Sequence, residues 1–451
     1  MPRPASEAEY LASLLPPSVA AGVGRRGFLK GALGTGAALT MPALLAACGG
    51  DDEGGGGGGG GGGKPTGTVT FGSNEAGGDV PQQRRDALVA AYEKSSGLKV
   101  KVNAVDHNTF QENINNYLQG NPDDVFAWFA GFRMQFFAER GLIGDVSDLW
   151  PIDGMGDAFK KASTGADGKQ YFVPDSNYPW VVLYRKSLWD ERGYTAPTTY
   201  DEMITLAKQM QSDGLNPFAF ADKQGWPAMG TFDILNMRLN GYDFHVNLMA
   251  GEEAWDSAEV KTVFETWREL LPYHQENALG RDWEEAAQGV VNNESGMYYL
   301  GLFMFEQFPE DEREDVDFFN FPEIDSAIGA DAIDAPIDGY CMSADPENED
   351  GAKDFLSYLG SPDAAAAANE AGFPLIWANS NADVSGLQPI QQKAAEFIAE
   401  QTSIAQFLDR DTRPDFASTV MIPALQQFIK NPDDVDGLTS SIEEQKKSIF
   451  V

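Results

Sequence analysis

The sequence is poor in the residues on which most enzyme chemistry is built. It holds two cysteines, Cys48 and Cys341, and three histidines, His107, His245 and His274. The histidines are scattered, with no His-Glu-x-x-His pair, so no metal centre of standard spacing is expected and no cofactor is assigned. A Gly-x-Ser-x-Gly nucleophile turn and a phosphate-cradling glycine loop are both missing; GADGK at 165–169 is too short for the latter. Basic residues are scarce as well. Against 69 Asp and Glu stand 32 Lys and Arg, a net charge of -37, and such a surface repels nucleic acid and anionic lipid along most of its area. The uncharged run at 31–47 is rich in Gly and Ala and broken by Pro42, too short for a spanning helix of roughly 20 apolar residues.

That run belongs to a signal. Arg25 and Arg26 precede Gly27, Phe28, Leu29 and Lys30 and then the uncharged stretch, the order of a secretory leader. RRGFLK resembles the twin-arginine export signal, with Gly24 where that motif usually carries Ser or Thr. Leu45, Ala46, Ala47 and Cys48 resemble a bacterial lipobox, which implies that Cys48 becomes the lipidated mature N-terminus. Several acyl chains on one residue make a firm anchor, whereas one chain holds only marginally. The plain alternative is an ordinary signal followed by a stray cysteine. After Cys48, the acidic residues 51–53 and the unbroken glycines 54–63 have nothing to bury and maximal backbone freedom. Residues 1–47 therefore read as signal and 48–66 as a flexible tether. With Cys48 lipidated, Cys341 is left without a disulfide partner and reads as an inert buried thiol.

The chain from Gly67 onward, roughly 385 residues, exceeds the roughly 250 to 300 at which a single core stops growing, so two lobes are expected. TGTVTF reads as a strand, and Pro81 and Gly97 bracket a helix. LKVKVNAV alternates as a half-buried strand. Phe110, Ile114, Tyr117 and Leu118 form one face of an amphipathic helix. DVFAWFAG is a strand or its exit loop, and RMQFFAERGL a helix. Thr199 and Glu202 form a capping box ahead of a helix that ends near Gly214, and AEVKTVFETWRELLPY and GAKDFLSYLG read as further helices. Strand and helix alternate, which predicts an α/β fold.

The succession of these patterns resembles one family, the extracellular solute-binding proteins of ABC sugar importers, the maltose-binding-protein-like group. The pieces that carry the likeness are GNPDDV (120–125), DGKQYFVP (167–174), LYRKSLWDERG (183–193) followed by PTTYDEM, GWPAMGTFDILNMRLNG (225–241), ESGMYYLGLF (294–303), IDGYCMS (337–343) and TRP (412–414). The resemblance implies a two-lobed periplasmic-binding-protein-like fold of type II, with hinged lobes and a ligand cleft between them. It also implies chain crossings near 174–179, 334–340 and 382–389, one lobe from 67–178 and 338–386, and the other from 179–337 and 387–451. The protein would be a monomer that binds a sugar and delivers it to the permease of an ABC importer.

A sugar carries hydroxyls around its edge and apolar C–H patches on its faces, so its site needs aromatic platforms and charged or amide groups edge-on. The chain has 9 Trp, 14 Tyr and 28 Phe, but large aromatics are mostly core, so position must decide. The family's site loops, matched one at a time, imply Asn74, Glu75, Trp128, Asn177, Tyr178, Trp226, Asp233, Phe303, Asp338, Tyr340 and Arg413 as ligand-binding residues. Phe303 stands where the family often has Trp, and Asp338 replaces the first glycine of a Gly-Gly-aromatic crossing. Each has a duller reading: Trp128 and Phe303 as core, Asn177 as a turn residue, Trp226 and Asp233 as braces of the second lobe, Arg413 as a surface ion-pair partner. A polyamine or phosphodiester receptor of the same fold is the alternative function, since a fold does not name its ligand. Two further alternatives are a surface receptor that signals without transport and a glycosidase, although nothing in the spacing of the acidic residues selects a catalytic pair.

Overall fold

The computed structural model describes residues 65–76 and 80–450. The export signal, the lipobox with Cys48 and the glycine tract lie outside the described residues. Among the described residues no helix is long and apolar enough to cross a membrane.

Eleven strands are described: β1 (Thr68–Ser73), β2 (Lys99–Ala104), β3 (Val125–Phe129), β4 (Val173–Asn177), β5 (Trp180–Arg185), β6 (Asn216–Phe218), β7 (Ser295–Gly301), β8 (Val316–Phe319), β9 (Ala332–Asp334), β10 (Ile337–Met342) and β11 (Ser403–Ala405). One sheet has the order β2-β1-β3-β10-β4. Its first three strands pair in parallel, while β10 returns antiparallel between β3 and β4. A second sheet runs β6-β7-β5-β8, with β7 antiparallel to β5 and parallel to β6. A short parallel pair, β9 with β11, lies apart from both.

Local sequence accounts for most of the elements. The helix Val80–Ser96 takes Pro81 in its first turn and is followed by Gly97 at φ +81°, a conformation that only glycine adopts at no steric cost. At the sheet edge, β2 leaves Lys99 and Lys101 exposed while Val100 and Val102 pack inward, which fits the alternation expected of it. Phe110, Ile114 and Leu118 are buried under the helix His107–Gln119, so its stripe faces the core. Thr199 and Glu202 make both bonds of the capping box on the helix Tyr200–Ser212. Arg185 at the end of β5 leads directly into the helix Lys186–Arg192, and Gly193 closes it in the left-handed region. Every residue of β7 is buried, as its central place in the second sheet demands.

Two bodies of packing follow the two sheets. One gathers Val69, Phe71, Val125, Val173 and Met342 with helix residues such as Phe355 and Leu359, flanked by an aromatic group around Trp128, Phe129, Phe137 and Phe172. Cys341 is fully buried in that group, and burial pushes its thiol pKa up, as expected of an inert cysteine. The larger core runs from Trp180 to Phe321 and resumes from Ile390 to Ile442. At about 1.5–3 kcal/mol for each fully buried large apolar side chain, each body has ample burial of its own. Chain passes between the two sheets at β4–β5, where only Tyr178 and Pro179 intervene, and from β8 to β10 by way of β9. The chain is thus a two-domain mixed α/β protein.

Candidate functional site

Where chain crosses between the sheets, both sets of loops converge on one cavity of about 630 Å³. From the first sheet come Asn74 and Glu75 after β1, Trp128 on β3, and Asn177 at the end of β4. Asp338 and Tyr340 arrive on β10, and Gly339 sits between them because β10 passes close to β4: a Cβ there would collide with the Val173 carbonyl oxygen. The second sheet's side supplies Tyr178, Trp226 and Phe303. Nine of the eleven expected residues therefore border the same space.

The aromatic rings form a connected surface. Phe303 meets Tyr178 edge-on at 5.3 Å between centroids and Trp283 edge-on at 5.1 Å. Trp226 lies 6.2 Å from Phe303 and 6.0 Å from Trp180, which in turn stacks on Phe407 at 4.6 Å. Trp128 borders the cavity but is only 1% exposed, wedged among Phe110, Phe129 and Phe137. Most of its indole is core.

Three arginines are set between the rings, each against carboxylates. Arg84 lies 3.8 Å from Glu75 and 3.5 Å from Glu306. Arg133 pairs with Asp409 at 2.8 Å and donates to Gln111 at 2.7 Å. Arg410 donates to Asp338 Oδ1 at 2.9 Å while its guanidinium sits 4.0 Å above the Phe129 ring. Such pairs hold their geometry in a partly dry site, and planar guanidinium forks suit recognition of oxygen-rich ligands. Burial pushes Asp175 up to about 7 against the pull of Arg84, with the Asp338 charge adding to the rise. Polar atoms of lining residues, Trp226 Nε1, Asp175 Oδ1 and Asp409 Oδ1, have no hydrogen-bond partner among the described residues. They are a mixture of donor and acceptors, which is what hydroxyl groups match.

Two expected residues stand elsewhere. Asp233 is fully buried within the helix Pro227–Met249, and its Oδ2 accepts the Leu408 N–H at 2.7 Å. It braces the loop before Arg410 and does not line the cavity. Arg413 turns to Asp415, with Nε and Nη2 donating at 3.1 and 2.8 Å, and lies over the Phe450 ring. The arginine of this loop that enters the cavity is Arg410, three residues earlier, because Asp338 and the Phe129 face lie within its reach. LDRDTRP offers two arginines in one turn, and sequence alone does not say which faces inward. Arg84, Arg133, Asp175, Trp283, Glu306 and Asp409 were not anticipated. Arg84 carries a trace in the sequence, since it is the fifth residue of the helix that follows the Asn74–Glu75 loop.

Comparison with known proteins places this architecture. The family model for bacterial extracellular solute-binding proteins matches residues 77–366. Among solved structures, the bacterial solute receptor AcbH, described as having an exclusive substrate preference for β-D-galactopyranose, superposes with a TM-score of 0.83 at 43% identity, covering 85% of this chain and all of that one. An uncharacterized ABC transporter extracellular-binding protein of Pyrococcus horikoshii is 26% identical over 302 residues, 64% of this chain and 66% of its own length. A probable sugar-binding periplasmic protein of Rhizobium meliloti is 26% identical over 180 residues, 38% of this chain and 42% of that one. The chain thus matches less than two thirds of either curated relative. With the family model spanning well over half of the sequence and a cleft of the kind the fold requires, the chain belongs to the bacterial extracellular solute-binding proteins.

Proposed function

We propose that the protein is a sugar receptor of an ABC importer that takes a galactose-type hexopyranose in this cavity. The observation that carries the reading is the wall itself: Tyr178, Trp226, Trp283, Phe303 and Tyr340 alternate with the pairs Arg84–Glu306, Arg133–Asp409 and Arg410–Asp338. Rings cover the C–H faces of a pyranose, and the charged groups take its hydroxyls at the edge. The 43% identity to the galactose receptor across that protein's whole length supports a monosaccharide of that class. Asn74, Glu75, Asn177, Asp338 and Tyr340 complete the ligand shell, with Trp128 offering its margin and Arg410 in the role expected of Arg413.

The lobes, 67–178 with 338–386 and 179–337 with 387–451, rotate about the crossings at 174–179, 334–340 and 382–389. Ligand touches both, so closure gains contacts that the open state lacks, and only that difference moves the equilibrium. A permease recognises the closed form and a separate subunit supplies ATP hydrolysis. The twin-arginine-like leader exports the chain, and Cys48 carries the lipid that holds it at the outer face of the cytoplasmic membrane as a monomer. The sugar leaves chemically unchanged.

Thermal unfolding of the full chain in mild detergent tests this. Galactose at 100 times its Kd should stabilise the native state by about 2.7 kcal/mol, with the sugar recovered intact. A rise with a polyamine or a phosphodiester and none with any sugar overturns the sugar assignment. Cleavage of a glycoside by the pure protein overturns the receptor reading.

A further inference from the structure

Away from the cavity, the interior of the larger core holds three groups that do not belong there unaided. Asp233, His245 and Asp334 are each fully buried, and one potential ligand atom from each lies within 4.8 Å of the other two. Asp233 Oδ1, both carboxylate oxygens of Asp334, and His245 Nε2 have no hydrogen-bond partner among the described residues. The charge of Arg238 draws on Asp334, but its hydrogen bonds go elsewhere. Arg238 spends Nε on the Phe321 carbonyl, Nη1 on the Ala332 carbonyl and Nη2 on Asn320 Oδ1. A further carboxylate, Asp411, adds its repulsion to both aspartates. Burial pushes Asp233 and Asp334 well above the usual carboxylate range, with the Asp334 charge adding to the rise of Asp233 and the Arg238 charge opposing that of Asp334.

The backbone has been shaped to make this meeting. In an unbroken helix, residues twelve apart stand about 18 Å along the axis. Asp233 and His245 are twelve apart, and Gly241 between them takes φ 81° and ψ 169°, breaking the helix. A Cβ at Gly241 would meet only Ile328, at 3.9 Å, so it is conformation and not space that calls for glycine. The break returns His245 to the helix it left, where its Nδ1 lies 3.1 Å from the Asn236 side-chain amide. Asp334 arrives from the end of β9.

We propose that Asp233, His245 and Asp334 bind a divalent transition-metal ion of the Zn²⁺ or Mn²⁺ type. One shared proton would leave a second buried carboxylate charged and an imidazole nitrogen idle, whereas a divalent ion neutralises both carboxylates and takes the nitrogen. Two carboxylate oxygens with one imidazole is a mixed set that suits Zn²⁺ or Mn²⁺ and gives Ca²⁺ or Mg²⁺, which favour all-oxygen shells, less. Three donors bound at about 2.0–2.2 Å to one ion stand about 3.3–3.8 Å from each other, so separations of up to 4.8 Å close by about 1 Å when the ion binds. Asn236 Nδ2 faces Nδ1 at 3.1 Å while its Oδ1 accepts from Asn240 Nδ2 at 2.8 Å; with an ion on Nε2 the two amides turn over together, so that Asn236 Oδ1 takes the Nδ1 proton. The ion clasps the broken helix to the end of β9. It thereby steadies both the crossing that leads to Asp338 and, through the Asp233–Leu408 bond, the loop that carries Arg410.

The test uses the full chain in detergent, produced in medium containing Zn²⁺ and Mn²⁺, with metal measured by plasma mass spectrometry. About one equivalent of Zn²⁺ or Mn²⁺ is expected. Stripping with a chelator should lower the Tm by several degrees, and adding back Zn²⁺ or Mn²⁺, but not Mg²⁺, should restore it. Asp334→Asn and His245→Asn should each lose the metal and the chelator response; should either fail to fold, the strip-and-restore measurement on the unaltered chain still decides. Less than a tenth of an equivalent together with a Tm that neither chelator nor added ion moves overturns the proposal and leaves a shared proton. Metal retained in both variants places the ion elsewhere and overturns it as well.

Discussion

The cavity wall and the interior of the larger core both take carboxylates out of water, and they do so in opposite ways. In the wall, Asp338 and Asp409 each have an arginine at 2.8–2.9 Å. In the interior, Asp222, Asp233 and Asp334 are fully buried and none forms an ion pair among the described residues: Asp222 Oδ1 accepts the Ala228 N–H at 2.9 Å, Asp233 the Leu408 N–H, and the remaining oxygens have no hydrogen-bond partner there. A charge held by a fixed counter-charge stays available to a ligand. A buried acid without one is driven to bind a proton or a cation, because the cost of leaving it bare is several kcal/mol. Acidic residues that look alike in the sequence are thus sorted by what faces them.

The sharpest way to break the contrast is to remove a wall cation. Arg410→Ala leaves Asp338 uncompensated beside Tyr178, and a loss of about 3–5 kcal/mol in stability is expected, with galactose-induced stabilisation abolished; denaturant unfolding with and without sugar measures both. If the wall pairs serve only packing, sugar response survives. A smaller effect is expected of Phe303→Leu, which keeps apolar bulk but forfeits the ring: sugar affinity should fall by about 0.5–1.5 kcal/mol in calorimetric titration, with little change in Tm.

The interior side is tested by pH. Burial pushes Asp222 up to about 8 from the ordinary 3.8, so between those values the native state keeps a proton that the unfolded chain has released. Stability from this group therefore falls as pH rises from about 4 to about 8 and is level above that. Asp222→Asn retains the Oδ1 acceptor for Ala228 and removes the titration, so its Tm should exceed that of the unaltered chain at pH 8 and converge with it near pH 4. Equal Tm values at both pH values would mean that Asp222 is ionised at no cost. The smallest effect is expected of Arg413→Ala. Its pair with Asp415 is one-third exposed on the arginine side, worth about 0–1 kcal/mol, and sugar affinity should be unchanged; a large loss would restore Arg413 to the ligand shell at the expense of Arg410.

Much of this could be read before any coordinates. The helix around Phe110, Ile114 and Leu118, the capping box of Thr199 and Glu202, and the strand-to-helix step at Arg185 depend on periodicity and turn chemistry that act over a few residues. Nine cavity residues were also legible, because they ride on loops whose order along the chain is that of the family. Asp233 and Arg413 were not. Asp233 lies on a helix whose first half is buried on nearly every side, so no polar face marks which way it points. Arg413 and Arg410 differ only in which neighbour claims each guanidinium, Asp415 two residues away or Asp338 seventy-two residues earlier.

By itself the sequence determined the elements, their alternation, the acidic surface and the order of the loops that build the cavity, since each follows from neighbours along the chain. Only the tertiary structure decided which carboxylate meets an arginine and which is buried without one. It alone brought His245 to Asp233 across the Gly241 break and to Asp334 from a strand some ninety residues on. Charge pairing and hydrogen bonding act most strongly over a few ångströms of space, and spacing along a chain does not encode that distance until the fold closes it.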